Sequence, residues 1–461
     1  MTKILALYLP QFHSIKENDE WWGKDFTEWN VVRSASEINK HTKQPKIPKQ
    51  GYYDLSKKDA IVNQVGLANR YGIDGFVIYN YYSKGKKLLE KPSEIILKNP
   101  NINIDYCFSW ANHDWMRTWF SYNREMLRKQ EYAGTDEEIY DHFKYLLKFF
   151  KDKRYIKIDN KPVFVIYNYE DIPNFERYIE IWNAKAISEG FSGIYFVQTL
   201  GGKNLVWNKK YFDSCFDFEP TFTTFNDMKH VHTYHKIKRF LKRELKLNIM
   251  TNFFNYDKVC TIMENRVYSE KEHCYGMFGE WDNTPRHKSN GTIFMNFSIE
   301  RFKRCFEIQY KKSIDNNHSF LVFDAWNEWG EGAILEPDNF YDLEKLKVIK
   351  EIKNHYEKNK TIYSILQVGT SNFVTILVGI LTGFIVPKLL SIEGYGVYKT
   401  FTLYLTYIGL CSLGIVDGIV LEYGGKDYDQ LNKTLFRSYF KGFAVINFIF
   451  AFILSLISFF S

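Results

Sequence analysis

Along the front of the chain, short apolar, aromatic or β-branched runs alternate with polar stretches and with segments whose apolar residues fall at helical spacing. The runs are Ile4–Leu9, Gly75–Tyr82, Ile104–Trp110, Pro162–Tyr167, Gly193–Thr199, Cys215–Glu219, Cys274–Trp281 and Phe320–Trp326. Their lengths and flanking turn residues predict strands. Ser56–Tyr71, Asp136–Lys151, Glu176–Glu189 and Ile299–Lys312 carry the helical spacing between them. Eight strand–helix repeats over about 340 residues predict an α/β fold, a (β/α)8 TIM barrel with insertions. An open doubly wound sheet would be favoured by a Gly-rich dinucleotide or phosphate-binding turn, and the sequence has none.

The pattern changes near residue 345. Residues 1–345 form the predicted barrel, 346–361 a lysine-rich helical linker, and 362–461 a segment of different character. After Lys360 no charge occurs until Lys388, and Thr361–Ser461 holds only six basic and five acidic residues. Its uncharged runs approach the ~20 residues that cross a bilayer. They predict three transmembrane helices, at about 370–390, 400–421 and 440–460. Three buried helices of a soluble domain are the alternative, but such helices show a polar face that these runs lack. The lysines before the first span and the four basic residues between the second and third place both flanks in the cytoplasm by the positive-inside rule. The expected location is the inner, cytoplasmic membrane, with the barrel cytoplasmic. Asp417 lies near the end of the second span, where it either lines a pathway or meets interfacial water. Gly379-x-x-x-Gly383 and Gly414-x-x-x-Gly418 permit close helix approach. The chain stops at Ser461 within an apolar run, as a truncated membrane segment would.

Composition narrows the class. Hydrophobic residues at 45%, aromatic at 18% and charged at 25% of 461 residues exclude disordered, collagen-like and disulfide-scaffold proteins. The net charge of +7 arises from 61 basic and 54 acidic residues without the local clustering a nucleic-acid partner requires. Cys107, Cys215, Cys260, Cys274, Cys305 and Cys411 are scattered, which fits a reducing compartment. Met1–Pro10 has no cleavage site behind its apolar run and reads as a first strand rather than a leader.

Candidate chemistry concentrates where the strands end, the active face of such a barrel. Trp21, Trp22, Glu28, Trp29 and Asn30 follow strand one, and Tyr79 to Tyr82 close strand two. Trp110, Asn112, His113, Asp114, Trp115, Arg117 and Trp119 follow strand three. Glu219 ends strand six, Trp281, Asp282, Asn283 and Arg286 follow strand seven, and Trp326, Asn327, Glu328, Trp329 and Glu331 follow strand eight. Nine of the eleven tryptophans lie in these segments among Asn, Asp, Glu and Arg. Indole faces accept the C–H faces of pyranose rings, and carboxylates and amides pair with sugar hydroxyls. Tryptophan that merely seals a barrel core is the plainer reading of any single one.

Glycosyl transfer to water needs a carboxylic acid at the leaving oxygen and a second carboxylate as nucleophile or base. Glu328 and Glu331 are the best pair, three residues apart between tryptophans in a Gly-containing turn. A capping or salt-bridged surface pair has the same spacing. Glu28, Asp114, Glu219 and Asp282 compete as partners. His230-x-His232-x-x-His235 sits among Lys229, Lys236, Lys238 and Arg239, which favours a solvated basic helix face over a metal site.

These residues carry a resemblance. Tyr8-Leu9-Pro10-Gln11-Phe12-His13, Glu17 to Gly23, Phe26-Thr27-Glu28-Trp29, Gly51 to Leu55, Leu88-Leu89-Glu90, Trp110-Ala111-Asn112, Trp281 to Thr284 and Trp326-Asn327-Glu328-Trp329-Gly330-Glu331-Gly332 closely resemble the WbsX group. Its members are called glycosyltransferases of polysaccharide gene clusters and are similar to glycoside hydrolase family 99. The likeness covers about Thr2 to Asp338. It implies a barrel acting on α-linked, mannose-like sugars of an oligosaccharide or lipid-linked saccharide, with no metal or other cofactor. It also implies Glu331 as general acid/base and Glu328 as the base that deprotonates the substrate's own 2-hydroxyl, giving an epoxide-like intermediate with retention. The third-strand motif departs from the usual pattern: His113-Asp114 replaces Glu-Asn, and Phe120 replaces Asp. The tail, through Val368 to Asn372, Pro387 to Leu390, Glu393 to Gly396 and Gly424 to Tyr428, resembles the opening of a Wzx-type polysaccharide flippase. Three spans are too few for such a transporter, so anchoring is the role expected of them, as in a gene fusion or frameshift remnant. A nucleotide-sugar-dependent glycosyltransferase and a non-catalytic sugar-binding module are the rival readings.

Overall fold

The computed structural model describes residues 2–117, 125–245, 252–408, 414–423 and 433–460. The chain divides into two units, Met1–His355 and Tyr356–Ser461.

In the first unit eight parallel strands close on themselves. They are β1 (Lys3–Tyr8), β2 (Gly75–Ser83), β3 (Asp105–Trp110), β4 (Lys161–Ile166), β5 (Tyr195–Leu200), β6 (Ser214–Asp217), β7 (His273–Cys274 and Gly276–Phe278) and β8 (Phe320–Asp324). Each pairs with its sequence neighbour, and β1 pairs with β8 through Lys3↔Phe320 to Ala6↔Phe323. The seam is β7: its first piece pairs with β6 at Cys215↔His273 and its second with β8 at Gly276↔Val322. A Cβ on Gly276 would stand 1.8 Å from the Asp217 carbonyl oxygen, so this crossing tolerates no side chain.

The strands are buried along nearly their whole length, as parallel strands covered on both faces must be. The covering helices are amphipathic. Asp136–Phe150 starts at Thr135, whose hydroxyl accepts from the Glu138 N–H, and buries Ile139, Phe143, Leu146 and Phe150. Ile299–Asp315 starts at Ser298 in the same way and buries Phe302, Phe306 and Tyr310. The β5–β6 crossover departs from the predicted repeat. Residues 201–213 form a loop without a helix, and Leu205 and Trp207 cover Leu200, Cys215 and Phe222 in its place.

Behind the strand ends lies a buried ionic cluster. Lys46 Nζ is 2.5 Å and Lys345 Nζ 3.1 Å from Glu280 Oε1, and Lys345 Nζ is 3.4 Å from Asp338 Oδ2. Two cations and two anions match, and the cluster ties the segments after β1, β7 and β8 to the helix Glu344–Leu389.

The second unit holds the rest of that helix together with Ile392–Ile408, Ile415–Tyr423 and Lys433–Phe460. Among the described residues, one stretch, the 18 residues Leu435–Phe452, is long and apolar enough to cross a membrane. Phe373–Leu389 is apolar but shorter. The expected middle span falls on two helices, and residues 409–413 between them lie outside the described residues, as do Cys411, Trp119, Phe120 and the Gly424–Tyr428 motif.

Replacing one partner of a buried ion cluster leaves the others uncompensated, at a typical cost of about 3–5 kcal/mol. Lys345→Met in the detergent-solubilised full chain is expected to lower stability by about that amount in thermal or denaturant unfolding. An unchanged midpoint would contradict the cluster.

Candidate functional site

At the C-terminal ends of the strands a cavity of about 450 Å³ opens, in the size range of small-molecule sites. Tyr79 and Tyr81 of β2, His113 and Trp115 beyond β3, Tyr167 beyond β4, Trp281 beyond β7, and Asp324, Glu328 and Glu331 at the end of β8 line it, with Arg286.

Arg286 is carried by the short helix Thr284–His287 after β7. Asp282, just before the N-cap Asn283, accepts from the Thr284 N–H at 3.0 Å and hydroxyl at 2.6 Å, while Asn283 Oδ1 accepts from the Thr292 N–H at 2.6 Å. The guanidinium is thereby aimed at three carboxylates. Its Nε donates to Glu28 Oε1 at 2.7 Å, its Nη2 to Glu328 Oε2 at 2.8 Å, and its Nη1 to Glu331 Oε1. Burial opposes the charge on Arg286, but Glu28, Glu331 and Glu328 outweigh it and hold the group protonated.

One cation against three acids leaves negative charge in excess. Burial pushes the Glu328 carboxyl up to about 8, with Glu331 and Glu28 adding to the rise and Arg286 opposing it. Glu28 is raised for the same reason, burial first, against the pull of Arg286. Asp324, at the cavity floor, is raised well above the carboxylate range by burial and by Glu331 and Glu328. Its Oδ2 is buried with no hydrogen-bond partner among the described residues. Near neutral pH Glu328 and Asp324 therefore hold protons that a reaction can use.

The backbone around β8 is shaped for this. Asn327 clamps Leu9, accepting from its N–H at 2.7 Å and donating to its carbonyl at 2.9 Å, so the segment after β8 is locked to that after β1. Trp329 Nε1 donates to Glu336 at 2.7 Å, and Tyr53 and Gln64 donate to the same carboxyl at 2.7 and 2.8 Å. Burial pushes Glu336 up to about 7 against those bonds. Glu28 and the Arg286 Nε pass directly beneath Gly330: a Cβ there would lie 2.0 Å from Glu28 Oε1 and 2.6 Å from Arg286 Nε.

Of the residues singled out from sequence, Glu328, Glu331, Tyr79, Trp115 and Arg286 meet in the cavity. Glu28 stands behind Arg286, and Asp282 and Asn283 shape the helix that presents it. The substrate-contact reading is corrected for Trp29, Trp110, Trp326, Trp329, Asn112 and Asn327, which do not line the cavity. Trp110 is buried behind β3, donating to the Tyr82 carbonyl at 2.9 Å and packed on His142. Trp29 donates to the Tyr53 carbonyl at 2.7 Å and packs on Phe12 and Trp329. Trp326 packs on Phe76. Asn112 joins the segments after β3 and β4, accepting from the Asn168 N–H at 3.0 Å. These side chains hold the strand ends together because indole and amide groups satisfy loop backbone that would otherwise be buried unpaired. Arg117 works on the rim, donating to the Trp21 carbonyl at 2.7 Å and lying over the Trp22 ring.

Among the competing acids, Asp114 lines the cavity, whereas Glu219 belongs to a separate buried cluster with Arg266 and Thr223. His230, His232 and His235 occur on the helix Lys229–Glu244, but His235 is buried against Phe254 rather than solvated, accepting from the Phe253 N–H at 3.4 Å. Among the described residues, no group of three or more His, Cys, Asp or Glu is arranged to hold a metal ion. Asp324, Tyr167 and Glu336 were not singled out, whereas Tyr81, noted at the end of strand two, lines the cavity. Asp324 carries a signal all the same: it is the lone acid at the end of an otherwise apolar strand.

The profile of the family described as "Glycosyltransferase WbsX" matches residues 4–349. Two relatives, each named "Uncharacterized protein WxcX", come from two strains of Xanthomonas campestris pv. campestris. They are 29% and 28% identical over 340 residues, or 73% of this chain. The chain spans about half the length of these relatives, 47%. Among solved structures, the GH99 endo-alpha-mannosidase from Bacteroides thetaiotaomicron is 11% identical with a TM-score of 0.48, over 78% of this chain and 98% of that one. A "Glycoside hydrolase-like protein" is 12% identical with a TM-score of 0.47, over 76% and 93%.

The close passage under Gly330 is testable. Gly330→Ala must push Glu28 and Arg286 aside, and overpacking of this kind costs about 1–3 kcal/mol. Thermal unfolding of the full chain should fall accordingly, while Gly66→Ala, an exposed position on the helix Lys58–Arg70 with open space around its Cβ and no positive φ, provides the comparison and should not lower it.

Proposed function

Because the chain belongs to the WbsX glycosyltransferase family, we propose that its barrel unit cleaves or transfers α-linked, mannose-like glycosyl units in the assembly of a surface polysaccharide such as O-antigen or capsule. The observation that carries this reading is the pair Glu328 and Glu331, joined through one buried guanidinium at the mouth of an aromatic-walled cavity.

In this reading Glu331 is the general acid/base and Glu328 the assisting base. The Glu331 side chain keeps 22% exposure against 9% for Glu328, which suits a group that must exchange its proton with entering water. Glu328 takes the proton of the substrate's 2-hydroxyl as that oxygen bonds to the anomeric carbon. The bond from that carbon to the leaving oxygen breaks, and the leaving oxygen receives the proton of Glu331. The Glu331 carboxylate then deprotonates a water, or an acceptor hydroxyl in transfer, which opens the three-membered ring at the anomeric carbon. The ring oxygen recovers its proton from Glu328, and configuration is retained. The raised pKa of Glu328 makes it an effective proton acceptor once ionised, because proton transfer is best matched near the working pH. Arg286 steadies both carboxylates as charge moves between them. Asp324, kept neutral, is placed to donate to a sugar hydroxyl at the cavity floor.

The same rise in Glu328 favours a second assignment, in which Glu328 is the acid and Glu331 the base. A nucleotide-sugar-dependent transferase, as the family description suggests, is the rival for the reaction itself. We further assign the second unit an anchoring role, with three spans as in the opening of a Wzx-type flippase, the barrel cytoplasmic at the inner membrane, and an oligosaccharide or lipid-linked saccharide as substrate.

The full chain incubated with α-mannooligosaccharides is expected to release reducing ends, whereas transfer of label only from a sugar nucleotide would overturn the hydrolytic reading. Glu331→Gln should cut turnover of an unactivated substrate at least about 100-fold while ligand binding persists. Leaving-group dependence separates the two assignments: a substrate with an activated leaving group should restore turnover to Glu331→Gln if Glu331 is the acid, whereas rescue of Glu328→Gln by that substrate would give the acid role to Glu328.

A further inference from the structure

The helix Lys229–Glu244, inserted between β6 and the helix Tyr256–Asn265, wears its apolar residues outward. Tyr234, Ile237, Leu241 and the following Leu245 recur at helical spacing along one stripe and are 55%, 54%, 48% and 63% exposed. The face turned to the barrel is by contrast partly polar. His235 and Lys242 are buried there, and Lys242 Nζ donates to the Ser289 carbonyl at 3.0 Å and to Asn290 Oδ1 at 2.9 Å. A helix that belonged only to a soluble domain would place these residues the other way round.

The charge on this helix is one-sided. Lys229, Lys236, Lys238, Lys242, Arg239 and Arg243 stand against the single acid Glu244. Lys229, Lys236 and Arg239 are exposed, and Lys238 lies over the Tyr234 ring at 4.4 Å, on the border of the apolar stripe. An apolar stripe bordered by cations is the composition of a helix that lies in the headgroup plane, its stripe among acyl chains and its cations on anionic lipid. A second protein would need acids facing these cations and its own apolar face. The bilayer supplies both over any length of helix, and the chain contains a helix apolar enough to enter one.

We infer that the helix Lys229–Glu244 is a membrane-docking element that seats the barrel unit on an anionic lipid surface. Its position gives this a consequence. The helix follows Phe218 and Thr221, which line the cavity, and Lys242 fastens it to the segment just after Arg286. Docking along this stripe brings the cavity rim close to the bilayer, where a lipid-linked substrate presents its saccharide. The docking itself does not depend on the reaction proposed above.

The test uses the full chain in a Cys411→Ser background, where the five described cysteines are buried and unreactive. Ile237→Cys, labelled with an environment-sensitive fluorophore, is compared with Ile187→Cys, an exposed position on the helix Phe175–Ser188. In vesicles of phosphatidylcholine with phosphatidylglycerol, the label at 237 should shift to the blue and be quenched by brominated lipid, and the label at 187 should do neither. Lys236→Glu with Lys238→Glu and Arg239→Glu should abolish the shift, and raised salt should weaken it. A label at 237 that behaves like that at 187 in these vesicles overturns the inference. So does a blue shift that grows with protein concentration in detergent without lipid, which would assign the stripe to a second copy of the chain. Tyr234→Ser with Leu241→Ser, labelled at 237, checks the apolar contribution without altering charge and should also lose the shift.

Discussion

A single guanidinium shared by three carboxylates governs this molecule's chemistry. Arg286 reaches Glu28, Glu328 and Glu331 at once, and Asp324 stands beside them as a fourth acid. A buried arginine stays charged, so the group cannot be neutralised from the cationic side. The excess is relieved only by protons on the acids, and the most deeply buried acids take them. Protons kept on buried carboxyls at neutral pH are what acid–base work on a glycosidic bond draws on. The cluster also explains the local backbone. Gly330 is bare because Glu28 and Arg286 occupy the space a side chain would need. The short helix Thr284–His287 is held by Asp282 and Asn283 because the guanidinium must keep its aim when the charges around it change.

The aromatic residues serve that arrangement at one remove. Trp329 packs against Trp29 and donates to Glu336, which also receives Tyr53 and Gln64, so a buried acid organises the underside of the turn whose upper side carries Glu328 and Glu331. Asn327 bonds both backbone groups of Leu9 and thereby couples the first and last strands at the level of the site. A barrel closes by pairing these two strands, and here the closing residues are contiguous with the candidate catalytic ones. Precision at the carboxylates and closure of the fold rest on the same few contacts.

The strands and the acids were legible in the sequence because both leave local marks: compact apolar runs for one, Glu-x-x-Glu between tryptophans for the other. The crossover between β5 and β6 was less so, since Leu205 and Trp207 replace a helix through packing that has no period. The roles of Trp110, Trp326 and Asn112 were misjudged because a residue at a strand end points either into the mouth of the barrel or toward the surrounding layer. Type alone does not say which, and these three point away from the cavity. Asp324 was passed over for the opposite reason: it sat inside a run read only as a strand, though an acid in such a run must have a use that outweighs its burial. The outward apolar stripe of the helix Lys229–Glu244 was hidden by its lysines and histidines, which read as a solvated face until the direction of each side chain was known.

The charge of the cavity bears on the sugar donor proposed above. Among the described residues that line it, Arg286 is the one arginine or lysine, and its donors are directed at protein carboxylates. A nucleoside diphosphate brings at least two negative charges and is commonly met by unspent cations, backbone N–H groups or a metal ion. Placed here it would face Glu331 and Asp114. A neutral glycosyl chain meets no such repulsion, since its hydroxyls can pair with neutral and charged carboxyls alike, and its ring faces can lie on Trp115 and Trp281. If the chain is attached to a lipid phosphate, that charge remains at the headgroup level, beside the lysines of the docking helix rather than inside the cavity. Acidic interior and basic rim then suit the two ends of one amphipathic substrate.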